Sequence, residues 1–205
     1  MGCGELIMPM LGDQMSTSEE LYRENLDRRI LVINDQIDDL LIDEHVMRIL
    51  KWNLEDKDIP VEKRRPIRLY ISSPGGNGFV SNILQDVIEQ SKTPVIGVCL
   101  DMVASAAYYV LLACHERIAF KHTVILQHDG EIEVGNSTRK ATDTMAFFDS
   151  MEARTKEFVL AHTNMTPEFY DEIYDREYWM HADKAKSLGI IDKIVGEDCD
   201  IEYIL

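Results

Sequence analysis

Ser105 is the residue whose position most clearly allows chemistry, because it stands where two apolar segments meet. The segment Val95–Leu100 precedes it and the segment Ala104–Ala113 contains it, so a strand is expected to end and a helix to begin here. The unpaired N–H groups and positive dipole end of a helix N-terminus would favour an attacking hydroxyl and a developing oxyanion. Serine is also a preferred N-cap residue, and on this stretch alone the cap is the better interpretation.

Two other features could complete a nucleophilic site. Gly75 and Gly76 follow a predicted strand over Ile67–Ser72, and two glycines permit a backbone that exposes N–H groups to a substrate. A plain tight turn is the commoner meaning of Pro-Gly-Gly. His128 ends the predicted strand Thr123–Gln127, and ligands of α/β folds bind at such strand tips. Of the six histidines it is the best placed base, although a lone histidine is more often structural.

A run of charges near the C-terminal end could supply the acid of such a site. Asp175, Arg176 and Glu177 are consecutive, and a carboxylate can hold an imidazole in the correct tautomer and stabilise its cation. A charge run is usually only a solvated face. No metal-ligand spacing and no phosphate-loop pattern competes with these candidates, so neither a metal nor a cofactor is expected.

Composition limits the classes of function. The 205 residues include 37 Asp and Glu against 21 Lys and Arg, a net charge of −16 that repels phosphate backbones, so nucleic acid is not an expected partner. No apolar run approaches the roughly 18 residues of a membrane span, and no Lys or Arg precedes Arg23 to begin a secretory signal. The four cysteines show no CxxC spacing. We therefore expect a reduced, cytoplasmic setting without membrane association.

The elements that must position these residues predict one α/β domain over residues 16–205, after a mobile tail or removable leader at 1–15. Strands and helices alternate, which predicts βαβ units and a mainly parallel sheet. Glu131–Val134 is expected to form an exposed strand and Thr138–His162 a long helix, which together could project from the core. The predicted strands are Arg29–Asn34, Ile67–Ser72, Val95–Leu100, Arg117–Phe120 and Thr123–Gln127, and the predicted helices are Ser16–Leu26, Leu40–Leu54, Phe79–Gln90, Ala104–Ala113, Thr138–His162, one from Thr166-Pro167, and Ala182–Leu188.

Taken together, these segments resemble the ClpP family, the proteolytic subunits of the Clp protease, from about Leu26 to Val195. The similarity rests on LYISSPGG at 69–76, VASA at 103–106, His128, and LGIIDKI at 188–194. The resemblance implies a crotonase-like α/β fold with a projecting strand-helix handle. It also implies a tetradecamer of two stacked seven-membered rings, into which an AAA+ ATPase unfoldase feeds unfolded proteins for hydrolysis.

The resemblance also assigns roles by position. Ser105 matches the nucleophile, His128 the general base, and Gly76 and Ala106 the two residues whose N–H groups form the oxyanion hole. The family's third catalytic residue is an aspartate, and its position is occupied by Glu177. Glutamate fills this role in some α/β-hydrolases, so a Ser-His-Glu triad is chemically sound.

Other positions match contacts between rings. Residues 131–162 correspond to the handle that joins the rings, and Asp175 and Arg176 match a pair used in ring–ring contact. Asp175 is also an alternative third catalytic residue. Two positions along a strand move a side chain by about 6–7 Å, however, and Glu177 is preferred for that reason.

Departures from the family pattern leave other functions open. Asp101 replaces a family glycine, and the segment between Ser105 and His128 is two residues shorter than the usual pattern. An active serine peptidase is the preferred hypothesis. The alternatives are a catalytically weak or inactive ring subunit that supports an active paralogue and, less favoured, a crotonase-type acyl-CoA enzyme.

Overall fold

A seven-stranded sheet organises the computed structural model, which describes residues 16–131, 133–135 and 137–205. Its strands are β1 (Ile30–Ile33), β2 (Ile67–Ser73), β3 (Val95–Ala104), β4 (Glu116–Ala119), β5 (Val124–Gln127), β6 (Tyr178–His181) and β7 (Lys193–Ile194). The order is β1-β2-β3-β4-β7, with β5 beside β3 and β6 beside β5. Every pairing is parallel except that of β5 with β6. The predicted mainly parallel α/β fold is therefore confirmed.

The helices follow the apolar periodicity closely. They are α1 (Thr17–Asp27), α2 (Met47–Glu55), α3 (Gly78–Gln90), α4 (Ala106–Leu112), α5 (Thr138–His162), α6 (Pro167–Ile173) and α7 (Ala182–Ser187), with a π-helical turn at Ile42–Val46 and 3-10 turns at Val61–Lys63 and Ile201–Ile204. Ser16 and Glu19 form the reciprocal capping box that their spacing predicts. None of these helices is long and apolar enough to cross a membrane. The tail predicted over residues 1–15 lies outside the described residues.

β3 is longer than its apolar run predicts, and this length organises the site. Its first half pairs with β4 over Ile96–Cys99, and its second half pairs with β5 over Met102–Ala104. The sequence predicts that this strand ends at Leu100, because Asp101 interrupts the apolar run. The Asp101 side chain is exposed and accepts a hydrogen bond from the Met102 N–H, so the charge remains solvated while the backbone continues.

The core lies between the sheet and the helices that cover it. Ile67, Leu69 and Ile71 alternate along β2 with no exposed area, as expected for a strand with one face in the core. Helix α4 is buried along nearly its whole length, with only Tyr109 half exposed. Burial of each large side chain contributes about 1.5–3 kcal/mol, which holds the beginning of α4, and therefore Ser105, firmly against the sheet.

The region predicted to project differs in part from the expectation. Glu131, Glu133 and Val134 lie in no strand, because the described part of the chain offers them no neighbouring strand for their backbone groups. Helix α5 has the predicted bounds. Of its side chains only Val159 is buried, so most of this helix lies outside the core.

β6 is a strand that the sequence analysis did not assign. Its four residues carry no clear alternation of burial, and only Met180 is buried. Antiparallel pairing with β5 stabilises this short segment, with Gln127 opposite Tyr178 and Val124 opposite His181. The pairing brings the residues before Tyr178 towards the end of β5, where His128 follows.

A buried ion pair fixes the entry to β1 and gives a stability prediction. The Arg29 guanidinium donates to both oxygens of Asp56 at 2.5 and 2.7 Å, and the Thr93 hydroxyl donates to Asp56 at 2.9 Å. The Asp56 side chain is only 3% exposed. Its bond to Arg29 is the main cause that lowers the pKa of Asp56 below the usual range.

Replacement of Asp56 by asparagine is expected to lower the free energy of unfolding by about 3 kcal/mol at neutral pH, because the Arg29 charge loses its partner. Since the folded-state pKa is lowered, the stability from this carboxylate is present above its unfolded pKa and is lost as pH falls through its folded pKa. Chemical unfolding of wild type and variant should therefore converge at acid pH. Asp58→Asn, at an exposed position of the same loop, is the control; an equal loss in both variants would contradict the prediction.

Candidate active site

Ser105 occupies a strained turn between β3 and α4. It has φ 54° and ψ −125°, a left-handed conformation that non-glycine residues rarely adopt. It stands at the N-cap position, yet its side chain makes no capping hydrogen bond. Its N–H donates to the Leu126 carbonyl at 3.1 Å, which ties the turn to β5. The simple cap interpretation is therefore wrong, and the hydroxyl is left available for another role.

The Gly75-Gly76 turn packs against Ser105 and the beginning of α4. Gly75 has φ 96°, and a Cβ atom added there would lie 2.7 Å from the Ser105 Cβ and 2.8 Å from the Ala106 nitrogen. Gly76 forms a parallel bridge with Ile37, in which its two neighbours make the hydrogen bonds to Ile37. The N–H of Gly76 itself therefore points away from Ile37. Both residues need glycine, one for conformation and close approach to Ser105, the other for close approach to Ile37.

Ala106 provides a second free backbone N–H group next to Ser105. It is the first residue of α4, so its N–H has no intrahelical partner. The carbonyl of Ala106 accepts a hydrogen bond from the Ser81 hydroxyl at 2.8 Å, which fixes the beginning of α4 against α3. Gly76 and Ala106 line the same cavity as Ser105, and backbone N–H groups beside a reacting carbonyl can stabilise negative charge on its oxygen.

His128 follows the end of β5 and is held there by α4. The Tyr109 hydroxyl donates to the His128 carbonyl at 3.2 Å, and the Tyr108 hydroxyl donates to the neighbouring Gln127 side chain at 3.3 Å. The Nε2 atom of His128 is buried and has no hydrogen-bond partner in the described part of the chain. His128 and Ser105 are not hydrogen-bonded to each other. Such bonds often form only when substrate is bound.

One cavity of about 440 Å³ connects these groups. The Gly75-Gly76 turn, α3, α4, the loop after β5, and α5 all contribute to it. Its lining includes Gly76, Ser105, Ala106 and His128, so four of the residues singled out from the sequence lie around one space. Among the described residues, no group of three or more His, Cys, Asp or Glu side chains is arranged to hold a metal ion.

The acidic run lies outside this cavity. Glu177 is exposed, and its carboxylate accepts a hydrogen bond from the Trp179 indole at 3.4 Å. Asp175 and Arg176 are also exposed and approach each other at 3.9 Å. The structure thus brings the serine, the histidine and the two backbone donors together, and leaves the Glu177 side chain pointing elsewhere.

Most of the cavity lining is not among the residues that the sequence predicts for the site, and Glu152 and Tyr174 are two examples. Glu152 reaches the cavity from α5, and Tyr174 reaches it from the end of α6. Met151 and Thr155 of α5 line the cavity beside Glu152. No local signal distinguishes an acidic residue at such a helix position from one on a solvated face.

Comparison with known proteins gives a consistent result. The model of the Clp protease family matches residues 13–198 of this chain. The chain is 27% identical over 190 residues, 90% of both chains, to the ATP-dependent Clp protease proteolytic subunit 3 of Parasynechococcus marenigrum (strain WH8102). It is 28% identical over 191 residues to the corresponding subunit 3 of Synechococcus sp. (strain CC9902), again with 90% of both chains covered. It is 27% identical over 196 residues to proteolytic subunit 2 of Prochlorococcus marinus (strain MIT 9312), covering 90% of this chain and 89% of that one.

Proposed function

This chain belongs to the Clp protease family as a serine peptidase subunit of the ClpP type, and on that premise we propose that Ser105 is its nucleophile. The Ser105 hydroxyl attacks the peptide carbonyl while Nε2 of His128 takes its proton. The N–H groups of Gly76 and Ala106 hold the oxyanion. His128 returns the proton to the leaving amine, and water then hydrolyses the acyl-enzyme.

The observation that carries this proposal is the backbone of Ser105. A serine whose only task is to cap a helix adopts an extended conformation and bonds to an N–H of the first turn. Ser105 does neither, because its φ is 54° and its side chain makes no cap bond. A strained strand-to-helix turn that presents an unused hydroxyl to a cavity is the arrangement of a nucleophile in hydrolases. Burial of α4 keeps that strain in place.

We further propose that Glu177 orients His128, on the basis of the strand register. β5 and β6 pair Leu126 with Trp179 and Gln127 with Tyr178, so the next opposed pair is His128 with Glu177. Directly opposed residues have Cβ atoms about 4.5–5.5 Å apart and share one face of the sheet. A change of the Glu177 rotamer, which moves its carboxylate from the Trp179 indole to the His128 imidazole, would complete the triad. Asp175 lies two residues before Glu177 in the chain, so the same register does not place it opposite His128.

Replacement of Glu177 by glutamine is expected to lower kcat for peptide hydrolysis by about 10⁴-fold, because the imidazolium loses its counter-charge and its correct tautomer. The aspartate variant should retain most of the activity and the pH profile, whereas the glutamine variant should change the acid limb of that profile. The measurement is kcat and kcat/KM for peptide hydrolysis as a function of pH. Glu172→Gln, at an exposed position of α6, is the control. A glutamine variant as active as this control would exclude Glu177 from the mechanism.

The experiment that tests the nucleophile is labelling with a fluorophosphonate probe. The assembly, its size verified beforehand, is incubated with the probe and then digested. Mass spectrometry of the peptide that contains Ser105 shows whether the probe has reacted. We expect an adduct at Ser105 that is lost in His128→Ala. An intact assembly without an adduct would contradict the proposal and would favour a ring subunit that supports an active paralogue.

We also propose how the chain assembles. Proteins of this family form rings and work with Clp ATPases. For this chain we propose stacked heptameric rings in the cytoplasm, joined through residues 131–162 and through Asp175 and Arg176, and supplied with unfolded proteins by an AAA+ ATPase unfoldase. The exposed Met145 and Phe147 of α5 support a contact there, because apolar side chains that the core leaves exposed gain from burial against a second copy.

A further inference from the structure

The cavity beside Ser105 carries an excess of negative charge. Asp129, Glu131 and Glu152 line it, and its described lining contains no lysine or arginine. None of these three carboxylates forms an ion pair with a basic side chain within the described ranges. Since like charges that face one space repel each other, a cationic group that enters the cavity would relieve that repulsion.

Two of the carboxylates converge on one part of the wall. Tyr170 and Tyr174 stack with ring centroids 5.5 Å apart, and Tyr174 lines the cavity. Burial raises the pKa of both tyrosines, the Glu152 charge raises it further, and the Asp129 charge adds to this effect. Asp129 follows β5 and Glu152 lies on α5, so different elements direct their charge at the same tyrosine pair. Asp129 and Glu152 therefore act on the same part of the cavity wall, at Tyr174.

The same cavity offers apolar contacts. Phe79, Phe148 and Met151 line it together with the three carboxylates. Long basic side chains bury their methylene stems against apolar groups while their charged ends reach polar ones. Its volume of about 440 Å³ is enough for one such side chain beside the peptide backbone at Ser105.

We propose that this cavity binds the side chain that precedes the scissile bond and selects lysine or arginine there, with Asp129 and Glu152 as its charge partners. This inference rests on the proposed function, since it takes Ser105 as the nucleophile. The residue that precedes the scissile bond carries the carbonyl that Ser105 attacks, so its side chain must enter the space adjoining Ser105. The net charge of −16 acts in the same direction, because it attracts basic segments of a substrate and repels acidic ones.

The test uses fluorogenic peptide amides that differ only in the residue before the scissile bond, which is lysine, arginine, leucine or glutamate. We expect kcat/KM for the lysine and arginine peptides to exceed that for the leucine peptide by about 10–100-fold, the range of a charge-assisted hydrogen bond. The glutamate peptide should be the poorest substrate. Added salt should reduce the preference for the basic peptides, since the selecting charges are partly solvated.

Variants separate this role from general effects. Glu152→Gln and Asp129→Asn should each lower the lysine-to-leucine ratio of kcat/KM by about tenfold, and Glu152→Lys should invert the preference between lysine and glutamate. Glu172→Gln, at an exposed position of α6 outside the cavity lining, is the matched control and should keep the wild-type ratio. Faster hydrolysis of the leucine peptide by the wild-type chain, with Ser105 still labelled by the probe, would overturn this inference alone. Failure to hydrolyse any of the four peptides, together with failure of labelling, would overturn the proposed function and this inference with it.

Discussion

Peptide hydrolysis is expected to fall by about 10⁴–10⁶-fold when Ser105 is replaced by alanine, because no other hydroxyl stands at the strained turn between β3 and α4. The oxyanion donors and the binding cavity remain in the variant, so a residual rate above that of water is also expected. The measurement is kcat for a fluorogenic peptide at saturating substrate, made on an assembly whose size equals that of the wild type.

Two further measurements make the Ser105 result decisive. The alanine variant should unfold at about the temperature of the wild type, because the Ser105 side chain makes no capping hydrogen bond whose loss would destabilise α4. Ser187→Ala, which removes an exposed serine hydroxyl outside the cavity lining, should keep the wild-type rate. Undiminished cleavage by the Ser105 variant would exclude the proposed mechanism.

Replacement of Gly75 by alanine is expected to lower kcat by about 100-fold or more, through displacement of the nucleophile and the oxyanion donors. The new Cβ atom would stand 2.7–2.8 Å from the Ala104 oxygen, the Ser105 Cβ and the Ala106 nitrogen, and real Cβ atoms do not approach backbone so closely. The backbone of Gly75 also has φ 96°, which alanine adopts only with strain. A shift of about 1 Å at a catalytic group is enough for a loss of this size.

The Gly75 prediction is checked by kinetics together with probe labelling, because a displaced Ser105 should react more slowly with the fluorophosphonate as well. Gly196→Ala is the matched control, since Gly196 also has a positive φ of 85°, no atom of the described residues lies within 4 Å of a Cβ atom there, and the residue is outside the cavity lining. Equal rates for the two variants would show that the turn tolerates a side chain. The close packing of Gly75 on Ser105 would then have no catalytic consequence.

Local patterns in the sequence were enough for most of the fold. The segment Ile67–Ser72 predicts β2, helical spacing predicts α3 and α5, and the Ser16 capping box predicts the beginning of α1. These elements are specified by interactions between residues close together in the chain, so a short stretch of sequence is enough to predict them. β6 has no such local signal, because its four residues are stabilised by pairing with β5, about 50 residues earlier in the chain.

The candidate site divides in the same way. The sequence singled out Ser105 from the junction of two apolar runs, His128 from the end of a strand, and Gly76 from its turn. It left open whether Ser105 is a cap or a nucleophile, since both interpretations need the same residue at the same position. Backbone conformation argues against the cap, and a φ of 54° depends on how β3, α4 and the Gly75 turn pack together.

The sequence by itself thus determined the α/β class, the acidic charge and the identity of the reactive residue types. Only the tertiary structure decided that Asp129 and Glu152 line the cavity beside Ser105, and that the β5–β6 register pairs Gln127 with Tyr178, next to His128 and Glu177. The physical reason is the range of the interactions. Periodicity and capping act between residues within a few positions of each other, whereas a cavity and a strand register arise where distant segments meet.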